Sequence, residues 1–299
     1  MTLDGWVAVP PLGLTVNGRD IAFESGEGWT FGGGHVVLSG PGPFVLSTGG
    51  AAFTDDVGIV AAADCAVTFS NLVMDVSANK YLSPFTVTPG TETALTLVGT
   101  NSLTAGERAA GLAVVSNDTA VAALVIDAAD MNQTLSATGG KYGAGIGGGR
   151  DDDGGTVTIN GGVVAATGGE YAAGIGGGEY GSGGTVTING GSMTATGSYD
   201  GAGIGGGNRG SGGTVTINGG SVAATGGAYG AGIGGGFDGS GGAVTINGGT
   251  VIQTLADLSA LVEIIIGISG CHLAETTLSS CSKVPNKLKS LLTSNNLIL

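Results

Sequence analysis

The sequence predicts an all-β protein, a single-stranded parallel β-helix (β-solenoid) in which every coil adds one short strand to each of three stacked sheets. Three observations predict it: one phrase pattern written four times between residues 143 and 254, apolar residues that alternate within the phrases, and glycines at the corners. The first copy reads Gly-Ala-Gly-Ile-Gly-Gly-Gly at 143 to 149, Gly-Gly-Thr-Val-Thr-Ile-Asn-Gly-Gly at 154 to 162 and Val-Ala-Ala-Thr at 164 to 167. Ile146, Ile175, Ile204 and Ile233 mark the first phrase and Ile159, Ile188, Ile217 and Ile246 the second, all spaced by 29 residues. A fixed period of that size belongs to stacked repeats, whose single units cannot bury an apolar face alone.

Within each phrase Val157 and Ile159 fall on one face and Thr156 and Thr158 on the other, the period of two of a half-buried strand. Gly-Gly after Asn160 supplies the positive-φ corner. Coils stacked at about 4.8 Å, about eight of them, make a rod on the order of 40 Å long. The general crossover preference makes the coil right-handed. The expected inward columns are Val157, Val186, Val215 and Val244; the two isoleucine series; Val164, Met193, Val222 and Val251; and Ala144, Ala173, Ala202 and Ala231. Asn160, Asn189, Asn218 and Asn247 form a corner column whose amides are suited to bond one another along the axis, a structural role.

The rest of the chain is organised around this array. Residues 1–33, with Trp6 and Trp29, read as an N-terminal cap or a first coil covering an otherwise open sheet edge. Residues 34–138 read as divergent coils: Ala94-Leu-Thr-Leu-Val-Gly-Thr-Asn-Ser-Leu aligns with the later Thr-Val-Thr-Ile phrase, and Ala110-Gly-Leu-Ala-Val with Ala-Gly-Ile-Gly-Gly. Cys65-Ala-Val-Thr-Phe and, before it, His35-Val-Val-Leu are assigned to the same slot one and two turns earlier. Residues 139–254 are the regular repeats, ending where Ile252-Gln253 breaks the pattern. Residues 255–299 are a C-terminal cap or a non-repeat tail, with helical spacing at Leu255, Leu258, Leu261 and Val262.

Composition narrows function. Of 64 glycines, 45 lie between 139 and 249, without the strict Gly-X-Y period of collagen. Nine Lys and Arg against 23 Asp and Glu give a net charge of −14, which argues against a nucleic-acid partner. Three cysteines, Cys65, Cys271 and Cys281, are too few for a disulfide framework. The apolar cluster at 261–268 contains Glu263 and is too short to span a bilayer, so no membrane insertion is expected. Residues 1–6 have no basic start followed by an apolar run, so no export signal is visible there.

Taken together, the Gly-Ala-Gly-Ile-Gly-Gly-Gly, Thr-Val-Thr-Ile-Asn-Gly-Gly and Ala-Thr-Gly-Gly phrases resemble the glycine-rich β-helical repeats of large bacterial surface proteins, which are adhesin-like and often called carbohydrate-binding. The resemblance covers roughly residues 12–254. It implies an extracellular or cell-surface, non-catalytic role as an adhesin or structural spacer, with carbohydrate or a host surface as partner. The absence of a visible export signal and wall anchor departs from such proteins and is expected of a fragment or of a truncated gene model.

Candidate sites follow from residue type and position. Tyr142, Tyr171 and Tyr229 occupy equivalent corners and Tyr199 stands one place early, so their rings are candidates for stacking on sugars, with Lys141, Glu170, Asp200 and Asp238 nearby for hydroxyls. The plainer alternative is that tyrosines cover Gly-rich strands that lack side chains. Asp151, Asp152 and Asp153 on a Gly-flanked turn are a candidate Ca²⁺ site, against a solvated variable turn. No other cofactor is expected, and nonapeptide Ca²⁺-binding β-rolls are excluded by the period. Thr156, Thr158 and their copies form an outward Thr-X-Thr face similar to that of β-helical ice-binding proteins, though Thr is also simply a favourable outward strand residue. A β-helix polysaccharide lyase or hydrolase is the enzymatic alternative. It finds little support: His35 and His272 lie 237 residues apart, Arg150 and Arg209 sit two coils apart, and no second group pairs with Asp127, Asp130 or Asp151 to Asp153. Gly-x-Gly-x-x-Gly matches lack a following helix and read as turns.

Overall fold

The computed structural model describes residues 12–22, 25–117 and 119–254, together with the backbone of two further strands, Glu263–Ile265 and His272–Leu273. The chain winds as a parallel β-helix through three sheets of 11, 8 and 9 strands. A representative coil runs from Thr156–Ile159 in the first sheet to Val163–Thr167 in the second and Ile175–Gly176 in the third. The same three slots are filled seven times from Phe44–Ser47 to Ile233–Gly234, and Ala243–Ile246 and Thr250–Thr254 fill two of an eighth. In the first of these coils the second slot is only a bridge, Phe53 to Met74. Among the described residues there is no helix, and so none long and apolar enough to cross a membrane.

Stacking is in register. Val157 pairs with Val186, Val186 with Val215 and Val215 with Val244, while the Ile159 and Ile146 series do the same in the first and third sheets. These columns and the Val164, Met193, Val222 and Val251 column are at most 5 % exposed. Full burial of each such side chain contributes about 1.5–3 kcal/mol. The earlier coils fill the same cross-section with larger groups, Trp29, Phe44, Phe69 and Phe85, and Phe69 meets Phe85 edge-on at 5.2 Å and 73°. The Cys65 thiol is buried there and pushed up in pKa by burial, so it is a core group rather than a thiolate.

Glycine is required where main chain lies on main chain. Gly147, Gly176, Gly205 and Gly234 have φ between 131° and 144°, and a Cβ on Gly147 would strike the carbonyl oxygen of Gly176 in the next coil. Gly148 would likewise strike the Asp152 carbonyl, because the loop that follows folds back over the outer face of the third sheet.

Two of the three N-terminal sheet edges are closed by antiparallel strands. Thr15–Val16 pairs antiparallel with Phe44–Ser47, and Trp29–Gly32 with His35–Leu38, so residues 12–33 act as a cap. Asp20 ties this cap by accepting from the amides of Leu12, Gly13 and Ala22 at 3.1, 2.8 and 2.9 Å. Burial alone would raise its carboxyl, but these three donors outweigh it and hold the pKa below the usual value.

Three alignments in the eroded half are corrected by the pairing. His35–Leu38 lies in the third sheet, and it is Phe44–Ser47 that precedes Cys65–Ser70 in the first. Ala94 stacks on Val125 and thence Thr158, two places along from the expected Thr156. Asn101 stacks on Leu135 and so faces inward, where its Nδ2 donates to the carbonyls of Val98 and Thr134 and its Oδ1 accepts from Leu72. Ala110 to Val114 fall where expected, with Leu112 on Ile146. Unequal loops make counting slip in this half, whereas each strand settles where its alternate residues enter the core.

The array also continues past Thr254. Glu263–Ile265 adds to the first sheet and His272–Leu273 to the second, so these five residues are strand and not helix. The helical spacing at Leu255, Leu258, Leu261 and Val262 falls outside the described residues, as do Cys271, Cys281 and Trp6.

The corner asparagines form the expected hydrogen-bonded column. Asn189 donates to Asn160, Asn218 to Asn189 and Asn247 to Asn218, each at 2.8 Å, and Asn160 donates at 2.9 Å to the carboxylate of Asp127. Every Nδ2 points toward the N-terminal end, so the run finishes on an anion, the strongest acceptor available. Asn189→Ala breaks two of these bonds and Asn247→Ala only one. At about 0.5–1.5 kcal/mol per bond, urea unfolding is expected to show the Asn189 variant losing roughly twice the stability of the Asn247 variant.

Candidate functional site

The four copies are nearly identical, so the positions at which they differ stand out. Three variable columns are Arg150, Glu179, Asn208 and Phe237; Asp151, Tyr180, Arg209 and Asp238; and Lys141, Glu170, Tyr199 and Ala228. The fold brings them to one edge of the rod. Main-chain bonds from Glu179 to Tyr142, from Asn208 to Tyr171 and from Phe237 to Asp200, at 2.8–2.9 Å, join the loop after the third sheet to the loop before it. The second of these columns sits at φ of 56–67°, which non-glycine residues seldom adopt. Side chains rather than glycines occupy that position in every copy. Strained positions of this kind, held by a rigid frame, are where function is sought.

Aromatic rings and cations concentrate there. Tyr142 and Tyr171 stack at 5.5 Å with 13° between their planes, and Tyr229 meets Tyr199 at 5.2 Å and Phe237 at 5.6 Å, both edge-on. Of six basic residues in the described part, five lie within 6.0 Å of a tyrosine ring: Lys80 and Arg108 at Tyr81, Lys141 at both Tyr142 and Tyr171, Arg150 at Tyr142, and Arg209 at Tyr180. Ion pairs neutralise part of this charge, with Lys80 at 3.6 Å from Glu107, Lys141 at 3.4 Å from Glu170 and Arg150 Nε at 2.7 Å from Glu179. A hydrogen bond from Tyr171 lowers the Glu170 carboxyl and raises the Tyr171 hydroxyl, and Glu170 in turn raises Lys141.

The four candidate tyrosines are therefore not equivalent. Tyr142 and Tyr171 are half-buried and spend ring faces on each other and on Lys141 and Arg150, whereas Tyr199 is 50 % and Tyr229 38 % exposed. The two columns in the loop after the third sheet were not legible as partners for them, but Tyr180 and Phe237 there are open on the same edge. The buried carboxylate of Asp200 accepts from Asn208, and so braces the edge rather than facing a ligand.

The acidic turn does not converge. Asp151 faces Arg150 at 3.9 Å, Asp153 accepts from the amide of Ser182 at 2.6 Å, and Asp152 is half-buried in a different direction, lining a cleft. Among the described residues no group of three His, Cys, Asp or Glu is placed to hold a metal ion. The next coil uses the third carboxylate as a structural acceptor, while the first faces the residue before it. The threonines of the first sheet point outward as expected. A longer column runs on the second sheet, Thr104, Thr138, Thr167, Thr196, Thr225 and Thr254, stacked in register; its signal was the recurrent Ala-Thr-Gly phrase.

The cleft was missed. A hollow of about 200 Å³ on the outer face of the third sheet is lined by His35, Tyr81, Ser83, Thr86, Arg108 and Asp152 among others. The expectation that no second group joins the carboxylates is thus corrected for Asp152, which shares this cleft with His35 and Arg108. The His35 Nδ1 lies 3.1 Å from the Gly33 carbonyl and, since a carbonyl only accepts, is the donor in that contact. Burial, then Asp151 and Asp153, raise the Asp152 carboxyl.

The family model described as a beta helix repeat matches residues 157–179, 186–208 and 215–237, three windows that each run from the first sheet into the variable loop. The chain is a β-helical repeat protein. Comparison of this repeat protein with curated proteins and with solved structures finds no match.

The Arg150–Glu179 pair is the test of how firmly the edge is held. Glu179 is 7 % exposed and bridges two coils. Glu179→Ala leaves Arg150 without its main partner, and a lower midpoint is expected in thermal or urea unfolding, by less than for a fully buried pair because Arg150 keeps contact with water.

Proposed function

We propose that this β-helical repeat protein is a non-catalytic, extracellular or cell-surface glycan-binding rod, adhesin-like in character, with the variable aromatic edge as its contact surface. The observation that carries the reading is the confinement of sequence variation, exposed rings and cations to one edge of an otherwise repetitive frame. An inert spacer needs no such concentration. Exposed aromatic faces beside fixed polar groups suit sugar rings, whose C–H faces stack on aromatics while their hydroxyls take hydrogen bonds. The resemblance to bacterial surface repeats supports the cellular setting.

Binding of the purified chain to a broad glycan array tests the proposal, with Tyr180, Tyr199 and Tyr229 changed together to Ala. Rings worth about 0.5–1.5 kcal/mol each should together weaken binding at least about tenfold. A folded wild-type chain that binds no glycan overturns the reading and leaves the spacer role.

A second reading, a polysaccharide-active enzyme, is favoured by one observation, the grouping of His35, Arg108 and Asp152 in the cleft. It requires that incubation with polysaccharides release new chain ends. The proposed non-catalytic role requires that none appear.

A further inference from the structure

The cleft stands at a step in the rod. Its floor includes Thr86 and Ala113, stacked neighbours on the third sheet, and the next position in register, Gly147, marks where the loop containing Asp152 begins to fold over the same face. Upstream the sheet face is bare; downstream it is roofed by main chain. His35, Tyr81, Arg108 and Asp152 come from four different turns, so only the stack brings them together.

Arg108 is the group left unsatisfied. Its Nε is buried and has no hydrogen-bond acceptor, and among the described residues it takes part in no ion pair. Its guanidinium lies 5.7 Å from the centre of the Tyr81 ring, a cation–ring contact that satisfies none of its N–H donors. A guanidinium short of an acceptor suits an occupant that supplies one. The planar group that matches a guanidinium edge with two parallel bonds is a carboxylate.

The rest of the lining describes what carries the carboxylate. A volume of about 200 Å³ is below the roughly 300–1,000 Å³ of sites for drug-sized molecules, which restricts the occupant to about one ring. Ser83 and Thr86 offer hydroxyls, His35 offers a ring nitrogen, and Tyr81, 69 % exposed, offers an open aromatic surface. From these observations we infer that the cleft is a binding site for a single sugar ring bearing a carboxylate, a uronic-acid type of residue, with Arg108 holding the acid group and Tyr81 beside the ring. The inference rests on the glycan-binding reading and adds a second, acid-selective site in the coils that precede Tyr180, Tyr199 and Tyr229.

The net charge of −14 does not forbid an anionic ligand, because at physiological salt charges farther than about 8 Å are largely screened. The local opponent is Asp152, whose carboxylate lines the same cleft. It disfavours a second carboxylate and so tunes the site against tight binding.

Titration calorimetry with free glucuronate as the probe and glucose as its neutral counterpart tests this on the whole chain. Glucuronate is expected to bind at least about tenfold more tightly than glucose, the scale of a charged hydrogen bond. Arg108→Gln should remove that preference with an unchanged unfolding midpoint, and Asp152→Asn should tighten glucuronate by a factor of about three or more by removing a like charge. Should Arg108→Gln not fold, Arg108→Lys, which keeps a cation over Tyr81 and loses the fork, carries the same comparison. Equal binding of the two sugars, glucuronate binding untouched by the Arg108 change, or weaker binding in Asp152→Asn overturns the inference. Array binding lost only in the Tyr180, Tyr199 and Tyr229 variant, without any glucuronate binding, overturns the cleft alone; a folded chain that binds neither array nor glucuronate overturns both readings.

Discussion

Parallel main-chain pairing between residues 29 apart is the constraint on which the rest of the structure depends. Each strand of one coil is hydrogen-bonded both to the coil before and to the coil after, so one register serves all three sheets. The valine and isoleucine columns, the asparagine run and the tyrosine pairs are consequences of that register. A slip by one residue in any sheet would turn Val157 and Ile159 out and Thr156 and Thr158 in. The apolar columns make such a slip costly, and the glycine corners make the correct register attainable.

Glycine sets how closely main chain can approach main chain. In the later coils the loop after the third sheet lies directly on the sheet, because Gly147, Gly148 and their copies present no Cβ to hold it away. The later coils are filled by Ile, Val, Ala and Met193, whereas the earlier coils hold Phe69, Phe85 and Trp29. The cleft beside Arg108 stands where the main-chain roof begins. One compositional fact, glycine enrichment that starts near residue 139, thus decides where the loop can lie on the sheet.

A frame held by its backbone and core leaves its outer loops free to differ. Arg150, Glu179, Asn208 and Phe237 occupy one backbone environment with four different side chains, and the adjacent column holds Asp, Tyr, Arg and Asp at one positive-φ position. Rings and cations at these positions then organise one another through stacking, cation–ring contacts and ion pairs across coils. This is the logic of a binding edge carried on a rigid scaffold.

How much was legible from the residues follows from the range of the interactions involved. Period, strand alternation, inward columns and the asparagine run could be read directly, because in the regular copies sequence neighbours at 29 residues are spatial neighbours too. In the eroded coils unequal loops broke that equivalence, so His35, Ala94 and Asn101 were misplaced until pairing and burial fixed them. The acidic turn looked like one cluster along the chain, yet three successive carboxylates point to three different partners, since backbone direction at a tight turn is not a sequence property. Local pattern alone determined that this protein is a stacked β-helix with a glycine-rich, variable edge. Only the tertiary structure decided that Tyr142 and Tyr171, one period apart, spend their faces on each other, because spacing alone does not fix where a corner side chain turns, and that His35, Tyr81, Arg108 and Asp152 meet, because those four come from turns whose spacing follows no period.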